Sequence, residues 1–309
     1  MYEKAKEELN NLANKGFDNS LKENTEYYAN VWENCDIEID GDLKNQQGIR
    51  FCIFQLQQTY HGFAKDNNIG AKGLTGEAYS GHAFWDSETY CLPYYLFSNK
   101  EAAKNLLMFR YNTLEEAKNR AKDLDCEGAC YPIATRNGQE GCNLWQHASL
   151  QFQPSTGVAY AIYHYMNLYD DHKFMQEYGL KMLIEISKFL LSRGQYSADN
   201  KVFGFYNVMG PDEFQMMVNH NAYTNYMAKK TFDYLLELIN DDRYDVKKVL
   251  KQCDCDDDFV NEIKKASDKT LILYDEETKL FEQHDGYYKL PHVDINKIPT
   301  SEFPLYSHW

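Results

Sequence analysis

Apolar residues recur along this chain at helical spacing, and strand-like alternation is scarce, so the sequence points to an all-α fold. Residues 44–60 place Ile49, Ile53, Leu56 and Tyr60 on one side of a predicted helix. Another is predicted over 100–123, where Leu106, Leu107, Phe109, Leu114 and Ala117 alternate with Lys and Glu. Residues 155–168 are apolar nearly throughout, as in a helix buried on most sides. Over 172–192, Leu180, Leu183, Ile186, Phe189 and Leu190 keep i, i+3 and i+4 spacing and stop before Gly194. Residues 222–239 repeat that pattern. Shorter helices are expected over 87–97, after a cap at Asp86, and over 257–273. Residues 1–40 are polar and weakly periodic, and read as a linker helix region ahead of a body spanning 41–309.

Three long loops, 68–86, 126–145 and 203–221, separate these helices. Loops of such length are uncommon in compact domains, and when rich in Gly, Trp, His and acid they usually carry function. The chain has 25 tyrosines, 17 phenylalanines and four tryptophans, which suits stacking on sugar rings but is equally good core material. A net charge of −15 disfavours nucleic acid and anionic membranes, because both are polyanions. It does not exclude a small phosphate, which responds to local charge. The eight cysteines form no CxxC pair, the charged start Met-Tyr-Glu-Lys is not a signal peptide, and no apolar run is long enough to span a bilayer. We therefore expect a cytoplasmic protein with free thiols.

Chemistry concentrates in the loops. Gly210-Pro211-Asp212-Glu213 sets a tight turn that presents two adjacent carboxylates just before Asn221 and a helix. A carboxyl group kept protonated by burial or a neighbouring charge can act as a general acid on a glycosidic oxygen. The same pair would also suit an ordinary acidic helix N-terminus. Gly73-Leu74-Thr75-Gly76-Glu77-Ala78-Tyr79-Ser80-Gly81-His82-Ala83-Phe84-Trp85-Asp86 offers backbone that a ligand can approach closely, a stacking face at Trp85 and a hydroxyl acceptor at Asp86. Alternatively Trp85 is core and Asp86 only caps the next helix. Cys126, Cys130, Cys142 and His147 do not have common zinc spacing. Asp241-Asp242-Arg243-Tyr244-Asp245 matches the magnesium–diphosphate motif of terpene synthases, but its second half, sought at Asp170–Glu177, has Phe174 where Ser or Thr is needed. No GxxxxGK, GxGxxG, HExxH or GxSxG occurs.

Taken together, these blocks resemble glycoside hydrolase family 65, the inverting phosphorylases of maltose, trehalose, kojibiose and nigerose. Gly73–Asp86 with Ser87-Glu88 is similar to the family's GLTGE-Y-GH-FWD-E block. Arg110–Leu114, Gly128–Pro132, Gly210–Glu213, Asn221–Asn225 and Phe281–Tyr287 resemble further family blocks, in order. The resemblance implies an (α/α)6 barrel in which Glu213 is the general acid. Trp85 and Asp86 would hold the non-reducing glucose, with His82, Glu77, Tyr131 and Trp145 as further sugar contacts. It implies no cofactor, but inorganic phosphate as co-substrate, and it admits a homodimer. In the family, a Lys-Gln pair, a Ser/Gly loop and a His that serve phosphate and glucose follow the position of Trp309. The expected barrel is therefore incomplete at its C-terminus. A sugar-binding or inactive remnant, or a hydrolase using Glu77 or Glu88 as a second carboxylate, are the competing expectations.

Overall fold

The computed structural model describes residues 2–76, 78–292 and 294–302. It is mostly helical. The helices are α1 (Tyr2–Lys15), α2 (Phe17–Cys35), α3 (Leu43–Thr59), α4 (Leu92–Ser98), α5 (Lys100–Asn112), α6 (Leu114–Asp123), α7 (Trp145–Leu150), α8 (Gln153–Tyr169), α9 (His172–Phe174), α10 (Leu180–Arg193), α11 (Ala222–Ile239), α12 (Val246–Gln252) and α13 (Asp257–Lys269). Among the described residues the strands are two short antiparallel pairs, β1 (Gln195–Tyr196) with β2 (Phe203–Gly204) and β3 (Tyr274–Asp275) with β4 (Leu280–Phe281).

The chain divides into two compact units at Tyr60/His61 rather than at the expected 40/41. The reason is that α3 is tied to what precedes it. Arg50 pairs with Asp36, the Gln46 side chain bridges the backbone of Ile37 and Ile39, Tyr27 donates to Gln57 at 2.6 Å, and the Tyr28 and Phe54 rings lie 5.3 Å apart. Those contacts extend the first unit through the helix that the sequence assigned to the main body.

In the unit beginning at His61, α8 and α10 form the core. α8 begins with Pro154 in its first turn, where a missing N–H costs nothing, and is buried along most of its length, with Tyr160, Tyr163, Asn167 and Leu168 exposed. α10 is buried from Leu180 to Leu190 and touches α8, α11, α12 and α13. The helix predicted over 100–123 is broken at Thr113, whose hydroxyl donates back to the carbonyl of Phe109 at 2.9 Å while its backbone leaves the helical region. Gly128 is left-handed (φ +72°) and pressed against α10, where a Cβ would lie 2.2 Å from the Glu185 carbonyl oxygen. Only glycine allows loop 126–145 to pass so close to that helix.

Candidate active site

Residues 78–86 include a strained turn. Tyr79 and Ser80 both adopt positive φ, at 60° and 52°, a conformation that non-glycine residues hold only when neighbours enforce it. The Tyr79 ring packs edge-on against Phe84 and lies under the Lys72 ammonium, 5.3 Å away. His82 donates from Nδ1 to the Tyr79 carbonyl at 2.7 Å, and its Nε2 edge lies against Gly141. His82 thereby clamps two loops together. Ala83 and Thr135 exchange backbone hydrogen bonds of 2.8 and 2.9 Å across the same seam.

Trp85 and Asp86 emerge directly from this turn. Asp86 has helical backbone angles and makes no capping bond, so the expected cap is absent and its carboxyl is available for other work. The half-buried Trp85 ring leans on Tyr90 (5.7 Å) and on Tyr223 of α11 (6.0 Å). Tyr223 also opens a cleft of about 830 Å³ between α8 and α11, lined by Tyr160, Tyr163, Tyr226 and Tyr234 among others.

The carboxylate pair sits in a loop closed by backbone bonds between Val208 and Val218, and pinned to Leu150 by Met209 N–H at 2.9 Å. Gly210 lies flat on the Asn221 amide, where a Cβ would come within 2.3 Å. Asp212 is fully committed: one oxygen accepts from Phe214 N–H (3.0 Å) and the other from the Gln283 side-chain amide (2.6 Å). Glu213 points toward α7. His147 Nε2 lies 3.3 Å from one of its oxygens and Gln151 donates to the other at 3.5 Å. The buried setting expected for Glu213 is not what the structure shows, because its side chain is 57% exposed. Asp86 is the carboxyl pushed above its ordinary range. Burial is the main cause and the Glu213 charge adds to it, against lowering by its own backbone and by Lys72. The two carboxyls, on separate loops, are near enough for the charge of Glu213 to be felt at Asp86.

Several expectations need correction. Tyr131 is fully buried and donates its hydroxyl to the Arg110 carbonyl at 2.9 Å, so it is core and cannot touch a sugar. Glu88 cannot serve as a hydrolase's base: it is buried and accepts two hydrogen bonds, 2.7 and 2.9 Å, from the wholly buried Arg110. Trp145 is exposed and lines a different cleft, about 550 Å³, with Arg120, Glu140 and Cys142. Glu77 lies outside the described residues. Asp241 is taken up by a bidentate Arg243, which holds it down near 2, so the terpene-like motif is an ion-paired turn. Among the described residues no three His, Cys, Asp or Glu side chains gather as a metal site, and all eight cysteines are free. No described helix is long and apolar enough to cross a membrane.

His147, Gln151 and Gln283 are the site residues that sequence reading missed. Each reaches the acid loop across more than sixty positions of sequence, and α7 is too short to show a period.

The glycosyl hydrolase family 65 central catalytic domain matches residues 50–309. The chain belongs to glycoside hydrolase family 65. It is 36% identical to an alpha,alpha-trehalose phosphorylase of Thermoanaerobacter brockii and 36% identical to a maltose phosphorylase of Bacillus subtilis, in each case over 99% of this chain and 40% of the relative. A solved structure described as a candidate kojibiose phosphorylase from the human microbiome superposes with a TM-score of 0.93 at 61% identity, over all of this chain and 41% of that one. The chain thus spans about two fifths of the length of these relatives.

Proposed function

We propose that this chain carries the glucose-binding loops and the general acid of an inverting α-glucoside phosphorylase, within an (α/α)6 barrel that the described residues fill only in part. Glu213 protonates the bridging oxygen of the disaccharide. Trp85 stacks on the non-reducing glucose and Asp86 accepts its hydroxyls. Phosphate attacks C1 from the opposite face and yields β-glucose 1-phosphate. What supports this reading is the pairing of two loops: Trp85 and an uncapped Asp86 at the end of a strained turn, and an exposed Glu213 carboxyl met by His147 and Gln151, whose charge is felt at Asp86. A single acid suffices because phosphate is already an anionic nucleophile at neutral pH, whereas water would need a second carboxylate about 6.5–9.5 Å away. With Glu88 locked by Arg110, the hydrolase reading loses one of its two candidate bases.

The test is phosphate-dependent release of glucose 1-phosphate from kojibiose, nigerose, maltose and trehalose, by the protein in the full length its gene encodes. One of the four should react. Free glucose formed equally without phosphate, or no product from any of them, contradicts the reading.

A further inference from the structure

The segment after β4 runs alongside the acid loop and holds it at several points. The Gln283 carbonyl accepts from Ala222 N–H (2.9 Å) and from the Asn221 amide (3.3 Å). Asp285 N–H donates to the Asn219 carbonyl at 3.0 Å, and His284 Nε2 meets the Gln215 side chain at 3.1 Å. Asn221 in turn caps α11 through Thr224 N–H and leaves room only for a glycine at 210. Among the described residues, the side-chain bond from this segment to the carboxylate pair is Gln283 to Asp212. The second oxygen of Asp212 arches over Glu213 to Phe214 N–H, so the plane of the Asp212 carboxylate fixes the backbone from which Glu213 projects.

We infer that Gln283 is a positioning residue for the general acid. Its amide fixes Asp212, Asp212 fixes the backbone on both sides of Glu213, and Glu213 alone reaches the substrate. Asp212 acts through geometry, since both of its oxygens are occupied. A fixed backbone matters for Glu213 because its own side chain is more than half exposed, with His147 at 3.3 Å and Gln151 at 3.5 Å as its polar contacts. A misdirected acid costs up to about a hundredfold in rate for an ångström of displacement. This inference rests on the phosphorylase reading above.

The experiment compares two substrates in the full-length protein: the native disaccharide, whose leaving oxygen needs a proton, and α-glucosyl fluoride, whose leaving group needs little help. Gln283→Met keeps the side-chain volume but cannot donate. It should lower kcat on the disaccharide about ten- to a hundredfold with KM nearly unchanged, and leave glucosyl fluoride turnover within about twofold. In case Gln283→Met folds poorly, Gln283→Glu provides a second test. Alone it repels Asp212 and should lose disaccharide turnover. Combined with Asp212→Asn, whose amide can donate to the new carboxylate, it should recover most of it. Unchanged disaccharide turnover in Gln283→Met, equal losses on both substrates, or no recovery in the double variant overturns the positioning role while leaving the phosphorylase reading standing. Wild-type protein that forms no glucose 1-phosphate overturns that reading, and this inference with it.

Discussion

Asp86 and Glu213 illustrate how little the identity of a carboxyl side chain says about its state. Asp86, which follows Trp85 at the end of a strained turn, is half-buried and raised, whereas Glu213 stands more than half in solvent between His147 and Gln151. The raised Asp86 has a consequence for stability. The native state binds its proton more tightly than the unfolded chain does, so the contribution of this one group is fully present below the ordinary carboxylate range and is lost as pH rises through the raised value. Asp86→Asn should therefore raise the melting temperature at pH 7 and leave it nearly unchanged at pH 3; no gain at pH 7 would contradict the burial of that carboxyl. Trp85→Ala should weaken glucose binding by about 1–3 kcal/mol, the scale of an aromatic stacking contact, and calorimetry showing unchanged affinity would remove Trp85 from the site. Trp85, Asp86 and Glu213 stand out in the sequence because each sits in a dense local motif. Tyr131 also sits in such a motif, yet its ring is core, because burial is decided by what packs on the motif from elsewhere. Gln283, inside the block Phe281–Tyr287, and His147, weighed only as a zinc ligand, meet the acid loop across long sequence separations, and a local pattern does not show that meeting.

At the scale of elements, periodicity located the long helices well. α8 and α11 fall within two residues of the predicted spans, and the predicted span 172–192 is filled by α9, a π-turn over Met175–Gly179 and α10. It failed where one side chain or one glycine redirects the backbone: Thr113 splits the 100–123 helix, and residues 87–91 form a π-turn before α4. That π-turn is anchored by the Glu88–Arg110 pair, which joins it to α5 with both side chains out of water. The pair holds the backbone that continues directly from Asp86. Glu88→Ala would leave the Arg110 guanidinium buried without its counter-charge and should cost about 3–5 kcal/mol in denaturant unfolding. A loss under about 1 kcal/mol would show that water or a rearranged side chain replaces the carboxylate.

For the molecule as a whole, helical patterning settled the all-α class, and the ordered motif blocks settled the family, which the match over residues 50–309 then established. The unit boundary was less legible, because polar residues before position 40 conceal the ring contacts and side-chain bonds that tie α3 to α2. The central claim concerns one proton delivered by the side chain at position 213. Its most direct test is the kcat of disaccharide phosphorolysis for Glu213→Gln in the full-length protein, read beside its thermal melt. The account predicts a fall of about 10²–10⁴-fold with an unaltered melt. Turnover within a few-fold of wild type would contradict it.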